Sequence, residues 1–246
     1  MKLKIFILSC LLGTTLFANQ NTTNANLKLL TEDYKPISFQ KANGEVDGLA
    51  IDIVKEIMKR LELKQEITLL DWKKAYELTK DKPNYVLFSA GKTKEREALF
   101  KWVGPIFNSV NSFYTKSDYK GNITNFNEAK KLDDIIVYRD SFNQQTLESA
   151  GFKNLEKTTK YENMIDRLLI IPETVIASSP IIIKAYMDKR DYPMNLIKRH
   201  ANIISLGNYI MFSKSTPDAI INQWQKVLDD MTKEGFVKKI QDKWLK

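Results

Sequence analysis

Between Leu27 and Gly91, short apolar strands alternate with amphipathic helices, and this order restricts the fold more than any other feature of the chain. Leu27 to Thr31 is an apolar strand. Ala50, Ile53, Val54, Ile57, Met58 and Leu61 recur at the spacing of one helical face, while Asp52, Lys55, Glu56, Lys59 and Arg60 take the other. Glu66 to Leu70 reads as a strand, Asp71 as the N-cap of a helix from Trp72 to about Thr79, and Asp81-Lys82-Pro83-Asn84 as a turn into the strand Tyr85 to Ala90. This βαβαβ order predicts a parallel sheet with crossover helices, whose ligands gather at the carboxyl ends of the strands. Tyr34, Trp72 and the Ser89–Thr93 loop all follow such ends. Asn43-Gly44, between two short extended runs, predicts a hairpin ahead of the first helix.

The second half repeats the style. Helices are expected near Asn125–Leu132, over Ser141–Ala150 with Ser141 and Gln144 as a capping box, over Glu162–Ile171, and from Ile181 to Lys189 behind Ser179-Pro180. Asp134–Tyr138 and Glu173–Ala177 read as strands, and Ile106–Thr115 and Ile203–Phe212 as extended segments. Two C-terminal helices, separated by Gly235, place Trp224, Met231 and Ile240 in the core. Two α/β units linked by extended segments suggest two lobes and a cleft.

Composition narrows the chemistry. The formal charge of +8 comes from lysines scattered among glutamates, without an arginine-rich or aromatic-interleaved run, so no nucleic-acid partner is expected. Lys2 and Lys4, the apolar run Ile5–Leu12 and Leu16-Phe17-Ala18 predict a signal peptide over residues 1–18, cleaved after Ala18. Cleavage would remove the one cysteine, Cys10, and leave a charge of +6. A lipoprotein anchor at Cys10 is disfavoured by the short apolar run before it and the bulky Leu8. Residues 19–26 read as a polar, flexible leader, and no later apolar run reaches the roughly 18 residues needed to cross a bilayer. A single histidine, His200, expected at the surface, and the absence of phosphate-loop patterns give no metal or cofactor site.

Tyr85–Phe107 carries the densest cluster of functional residue types. A strand ends at Gly91, and Thr93 stands where a short helical turn bearing Lys92 and Arg96 would begin. Free N–H groups and a guanidinium converging there could seat an anion. The same residues also fit a surface turn with solvated charges.

Four features together carry a family resemblance: Tyr34-x-Pro36 after the first strand; Asn43-Gly44 and Gly48 before the amphipathic helix; Ser89-x-Gly91-x-Thr93-x-x-Arg96, continuing into Phe100-x-Trp102-Val103-Gly104-Pro105; and a closing segment ending in Lys243-Trp244. Over nearly its whole mature length the chain resembles the extracytoplasmic solute-binding proteins of the amino-acid ABC transporter type, solute-binding family 3. The resemblance implies an α/β, two-lobed type II periplasmic binding fold. Lobe 1 would comprise residues 27–115 and 206–246, lobe 2 residues 116–205, with a two-segment hinge. It also implies a monomer in the periplasm that binds an amino acid or other small organic carboxylate and delivers it to the permease of an ABC importer. By position, Tyr34 and Trp72 would pack on the solute, Ser89, Gly91, Lys92 and Thr93 would offer polar groups, and Arg96 would hold a carboxylate. From lobe 2, Asp140, Ser141 and Phe142 would complete the cage.

The chain departs from that family in two places. Ser178-Ser179 stands where an acidic residue usually holds the solute's α-ammonium, and Asp140 stands where a glycine is usual. Either Asp140 takes over the ammonium, or the solute has none. The same fold hosts sensory domains and cyclohexadienyl dehydratases; the latter would require a general acid such as Glu173 or Asp140.

Overall fold

A computed structural model of the chain describes residues 27–245. The expected signal peptide, leader and Cys10 lie outside the described residues. The first half runs β1 (Lys28–Thr31), β2 (Phe39–Gln40), β3 (Val46–Asp47), α1 (Leu49–Arg60), β4 (Ile67–Leu69), α2 (Trp72–Asp81), β5 (Tyr85–Gly91), α3 (Lys94–Glu97) and β6 (Phe100–Lys116). It continues through α4 (Phe126–Ala129), β7 (Ile135–Tyr138), α5 (Phe142–Ser149), β8 (Leu155–Thr158), α6 (Tyr161–Ile170), β9 (Ile176–Ser178), α7 (Pro180–Lys189), β10 (Ile197–Ser213), α8 (Asp218–Lys233) and α9 (Phe236–Leu245).

The strands form one ladder in the order β4-β1-β5-β10-β6-β9-β7-β8. β1 is parallel to β4 and β5, and β7 is parallel to β8 and β9, so each end of the ladder is a small parallel sheet. The link is β6 and β10, each 17 residues long and antiparallel from Phe100↔Ser213 to Ile197↔Lys116. Both strands run beyond the expected segments 106–115 and 203–212, because Lys101, Trp102 and Val103 on one and Lys198 and Arg199 on the other also join the ladder. β8 was not foreseen; its sequence, Leu-Glu-Lys-Thr, carries no clear alternation. The result is the mixed α/β, two-lobed architecture expected.

α1 buries Leu49, Ile53, Val54 and Ile57 completely, and α8 brings Trp224 edge-on to Phe212 at 5.2 Å. The C-terminal helices are tied to this half by side chains. Gln225 Oε1 accepts from Gly104 N, Gln241 donates to the Ile106 carbonyl, and Lys243 Nζ and Trp244 Nε1 both donate to Asp52 at 2.8 Å. The terminal Lys243-Trp244 pair thus locks α9 onto α1. A second apolar cluster in the other half is built on Phe113, Phe126 and Phe152, whose ring centroids lie 5.3–6.2 Å apart. His200 belongs to this region and corrects the surface expectation. It is 9% exposed, accepts from Ile123 N through Nδ1, and meets the Thr115 hydroxyl through Nε2 at 2.8 Å.

Three predicted caps form, with Asp71 accepting from Lys73 N, Ser141 from Gln144 N and Ser179 from Ile182 N, while Thr93 stands at the expected N-cap of α3 without a side-chain cap bond. Gly48, just before α1, has φ 130°, and a Cβ there would lie 2.5 Å from the Ile37 carbonyl oxygen. Both the backbone conformation and the close approach need glycine. Gly48→Ala should therefore destabilise the protein by about 2 kcal/mol or more, seen as a lower urea midpoint at unchanged m-value.

Candidate functional site

The carboxyl ends of four strands open onto one cavity of about 260 Å³. β1 contributes Glu32 and Asp33, and β4 contributes Leu70, Asp71 and Trp72. β7 supplies Tyr138, and the turn after β8 supplies Lys160, Tyr161 and Glu162. This is where a parallel α/β sheet is expected to bind ligand, here with both halves contributing. A larger hollow of about 500 Å³ near Pro36, Lys184 and Trp244 is lined by no buried, unpartnered polar atom. In the 260 Å³ cavity, Glu32 supplies one: its Oε2 is buried without a hydrogen bond.

Around this cavity the halves touch. Asp140, at φ 58°, turns its carbonyl toward the first half, where it accepts from Trp72 Nε1 at 3.0 Å and from an Arg96 terminal nitrogen at 2.9 Å. The left-handed conformation is one that glycine adopts freely, and aspartate is among the other residues that tolerate it. The loop is braced from below, since Gln144 Oε1 accepts from Asp140 N at 2.8 Å. Gln144 thereby completes a box one residue earlier than the expected Ser141 partner. Phe142 packs against Gly91, where a Cβ would come within 2.9 Å of its ring. Tyr34 faces Tyr161 at 5.4 Å, and Tyr161 stacks on Tyr138 at 4.1 Å.

Arg96 is 1% exposed, with its guanidinium over the faces of Trp72 and Tyr76 at 5.1 and 5.3 Å. Burial lowers its pKa to about 10, which leaves it charged at pH 7. Its terminal nitrogens donate to the Asp140 and Gly91 carbonyls, while Nε has no partner. Ser89 is the bulged residue where the β5–β10 register shifts, at φ 70°, and its hydroxyl is buried and unpartnered. The Thr93 and Ser178 hydroxyls and Asp140 Oδ2 are also unpartnered. Buried polar atoms are ordinarily satisfied, so these groups are candidates for contact with a bound molecule.

Among the expected site residues, Tyr34, Trp72, Arg96, Asp140 and Phe142 meet across the cleft, and Ser89, Gly91 and Thr93 belong to the wall around Arg96. Ser141 caps α5, Ser178 pairs with Ser112 in the ladder, and Lys92 turns to Glu97 at 3.2 Å. Sequence reasoning missed Glu32, Tyr138, Tyr161 and Tyr186. Glu32 and Tyr138 carried a positional signal, since both sit at strand ends, whereas Tyr161 and Tyr186 lie on α6 and α7 and carried none. Glu173, considered as an acid, is exposed and lies outside the cavity.

A cavity between two α/β halves joined by paired strands is the architecture of a bilobal binding-protein fold. The chain belongs to the bacterial extracellular solute-binding proteins, family 3, whose model matches residues 27–246. It is 24% identical over 179 residues to the octopine-binding periplasmic protein of Rhizobium meliloti, a match covering 62% of this chain and 60% of that relative's length. Among solved structures it is similar to a histidine kinase sensor domain related to periplasmic binding proteins, with TM-score 0.80 and 15% identity over 91% of this chain and 98% of the other. It is also similar to an ancestral arginine-binding protein bound to arginine, with TM-score 0.76 and 22% identity over 90% and 99% of the two chains.

Burial raises the Glu32 carboxyl to about 8, opposed by Arg96 and reinforced by Asp71 and Asp33. A carboxyl raised in the folded state stabilises below its unfolded pKa, and that contribution is lost as pH rises from about 4.5 to about 8. Thermal melts of the solute-free protein should fall across this window. Glu32→Gln should flatten the profile and stabilise the protein at pH 8 by on the order of 3 kcal/mol.

Proposed function

We propose that this protein captures a small solute, an amino acid or other small organic carboxylate, between its lobes and delivers it to an ABC importer. Residues 27–115 and 206–246 form one lobe and 116–205 the other, and the chain works as a monomer in the periplasm. The observation that carries this reading is the convergence of Trp72 and Arg96 on the Asp140 carbonyl, beside a cavity lined from both halves. Contacts of this kind exist only when the lobes are together. A solute that adds contacts to both lobes shifts the protein toward the closed state.

Tyr34 and Trp72 supply aromatic faces to the cleft, with Ser89, Gly91, Lys92 and Thr93 around Arg96 and Ser141, Phe142 and Ser178 on the opposing side. On this reading the protein is a binding protein and not an enzyme. The dehydratase alternative loses Glu173 as its acid, because that side chain is exposed.

Calorimetric titration with amino acids, amines and simple organic acids, paired with small-angle scattering, tests the proposal. Binding should release heat and reduce the radius of gyration. Arg96→Ala removes one of the two donors to Asp140 and should weaken solute binding at least tenfold while expanding the solute-free protein. Unchanged affinity and unchanged radius in that variant would exclude Arg96 as a closing contact.

A further inference from the structure

We propose that the solute is longer than a free amino acid: the cavity is the inner end of a groove that takes a short peptide, whose C-terminal carboxylate lies outside the cavity beside Lys35. The inference rests on the solute-binding reading and names the size and class of molecule that the site accepts.

Continuity is the first argument. The 260 Å³ cavity shares Asp33, Glu162 and Tyr186 with a second hollow of about 340 Å³. That hollow in turn shares Lys35, Ala185 and Lys189 with the 500 Å³ hollow near Pro36 and Trp244. The three form one groove between the halves. One wall is the chain from the end of β1 through β2, joined by the end of α9; the other is the start of α6 and one side of α7. The innermost hollow is the smallest of the three, and a molecule confined to it would leave the rest of the groove to water.

The charge reverses along the groove. Its inner end carries Glu32, Asp33, Asp71 and Glu162 against Lys160 alone, and its outer end Lys35, Lys184 and Lys189 against Asp188 alone. Such a field orients a long dipolar molecule in one direction. It disfavours a polyamine, which the outer end repels, and a polyanion, which the inner end repels. A free amino acid bears both charges on the same carbon and cannot span the reversal. A peptide separates its termini by about 3.5 Å for each added residue.

The outer end has one cation to offer. Lys184 pairs with Asp188 at 2.6 Å and Lys189 with Glu162 at 2.5 Å. Lys35 influences Asp33 through space but makes no ion pair among the described residues, and its Nζ rests over the Phe39 ring at 4.9 Å. It lines both outer hollows, where it can donate to a carboxylate. Beside it Pro36, Ile181, Ala185 and Trp244, all half-buried, offer apolar contact to peptide side chains.

The test is calorimetric titration of the mature protein with alanine, di-alanine, tri-alanine, the C-terminal amide of tri-alanine, and a panel of free amino acids. Affinity should rise along the alanine series, by at least about tenfold from alanine to tri-alanine, and the amide should bind roughly tenfold more weakly than the free acid. Lys35→Glu changes an exposed side chain; it should weaken tri-alanine binding by roughly tenfold and erase the difference between acid and amide. The length series needs no variant. A free amino acid that binds as tightly as tri-alanine overturns the inference while leaving solute binding intact. Equal affinity for acid and amide in the unaltered protein overturns the place given to the carboxylate. Absence of heat from every amino acid and peptide overturns the solute-binding reading itself.

Discussion

One backbone oxygen, the carbonyl of Asp140, joins the two halves beside the cavity. It accepts an indole N–H and a guanidinium N–H from the other half, so both of its lone pairs are used. The geometry depends on a left-handed residue at 140, on Gln144 bracing the loop from below, and on Gly91 leaving room for Phe142. Because backbone does the joining, side-chain identity at 140 is released from that task. An aspartate can therefore stand at this left-handed position while its backbone alone makes the contact.

Much of the scaffold was readable from the chain because its signals are local. Asp71, Ser141 and Ser179 cap the helices that follow them, Asn43-Gly44 joins β2 to β3, and the α1 stripe is the buried face. The site was readable only where a strand end met a familiar motif, as with Trp72 and Arg96. Glu32 escaped because an acid beside Asp33 and ahead of a proline looks solvated. What buries it arrives from Tyr138 and Tyr161, about a hundred residues away or more. His200 escaped for the same reason: basic neighbours at 198 and 199 suggest a surface, while Thr115 and Ile123 supply partners that no local pattern reveals.

Unpartnered polar atoms occur in the scaffold, as at Asn154 and Thr216, and again around the cleft. The apolar clusters are closed by aromatic contacts and satisfied caps. The cleft holds a carboxyl oxygen of Glu32, Nε of Arg96 and the hydroxyls of Ser89 and Thr93 without hydrogen bonds. Burying such atoms is costly in a stable fold and useful in a receptor, where the occupant supplies the missing donors and acceptors.

The pairing of β5 with β10 has a consequence for how the chain comes into being. Gly91 meets Asn208, and Asp52 meets Trp244, so β5 lacks its β10 neighbour and α1 its α9 neighbour until these later segments have been synthesised. Contacts of such long sequence separation form slowly. β5 and α1 therefore complete their packing late, once partners far along the chain have arrived.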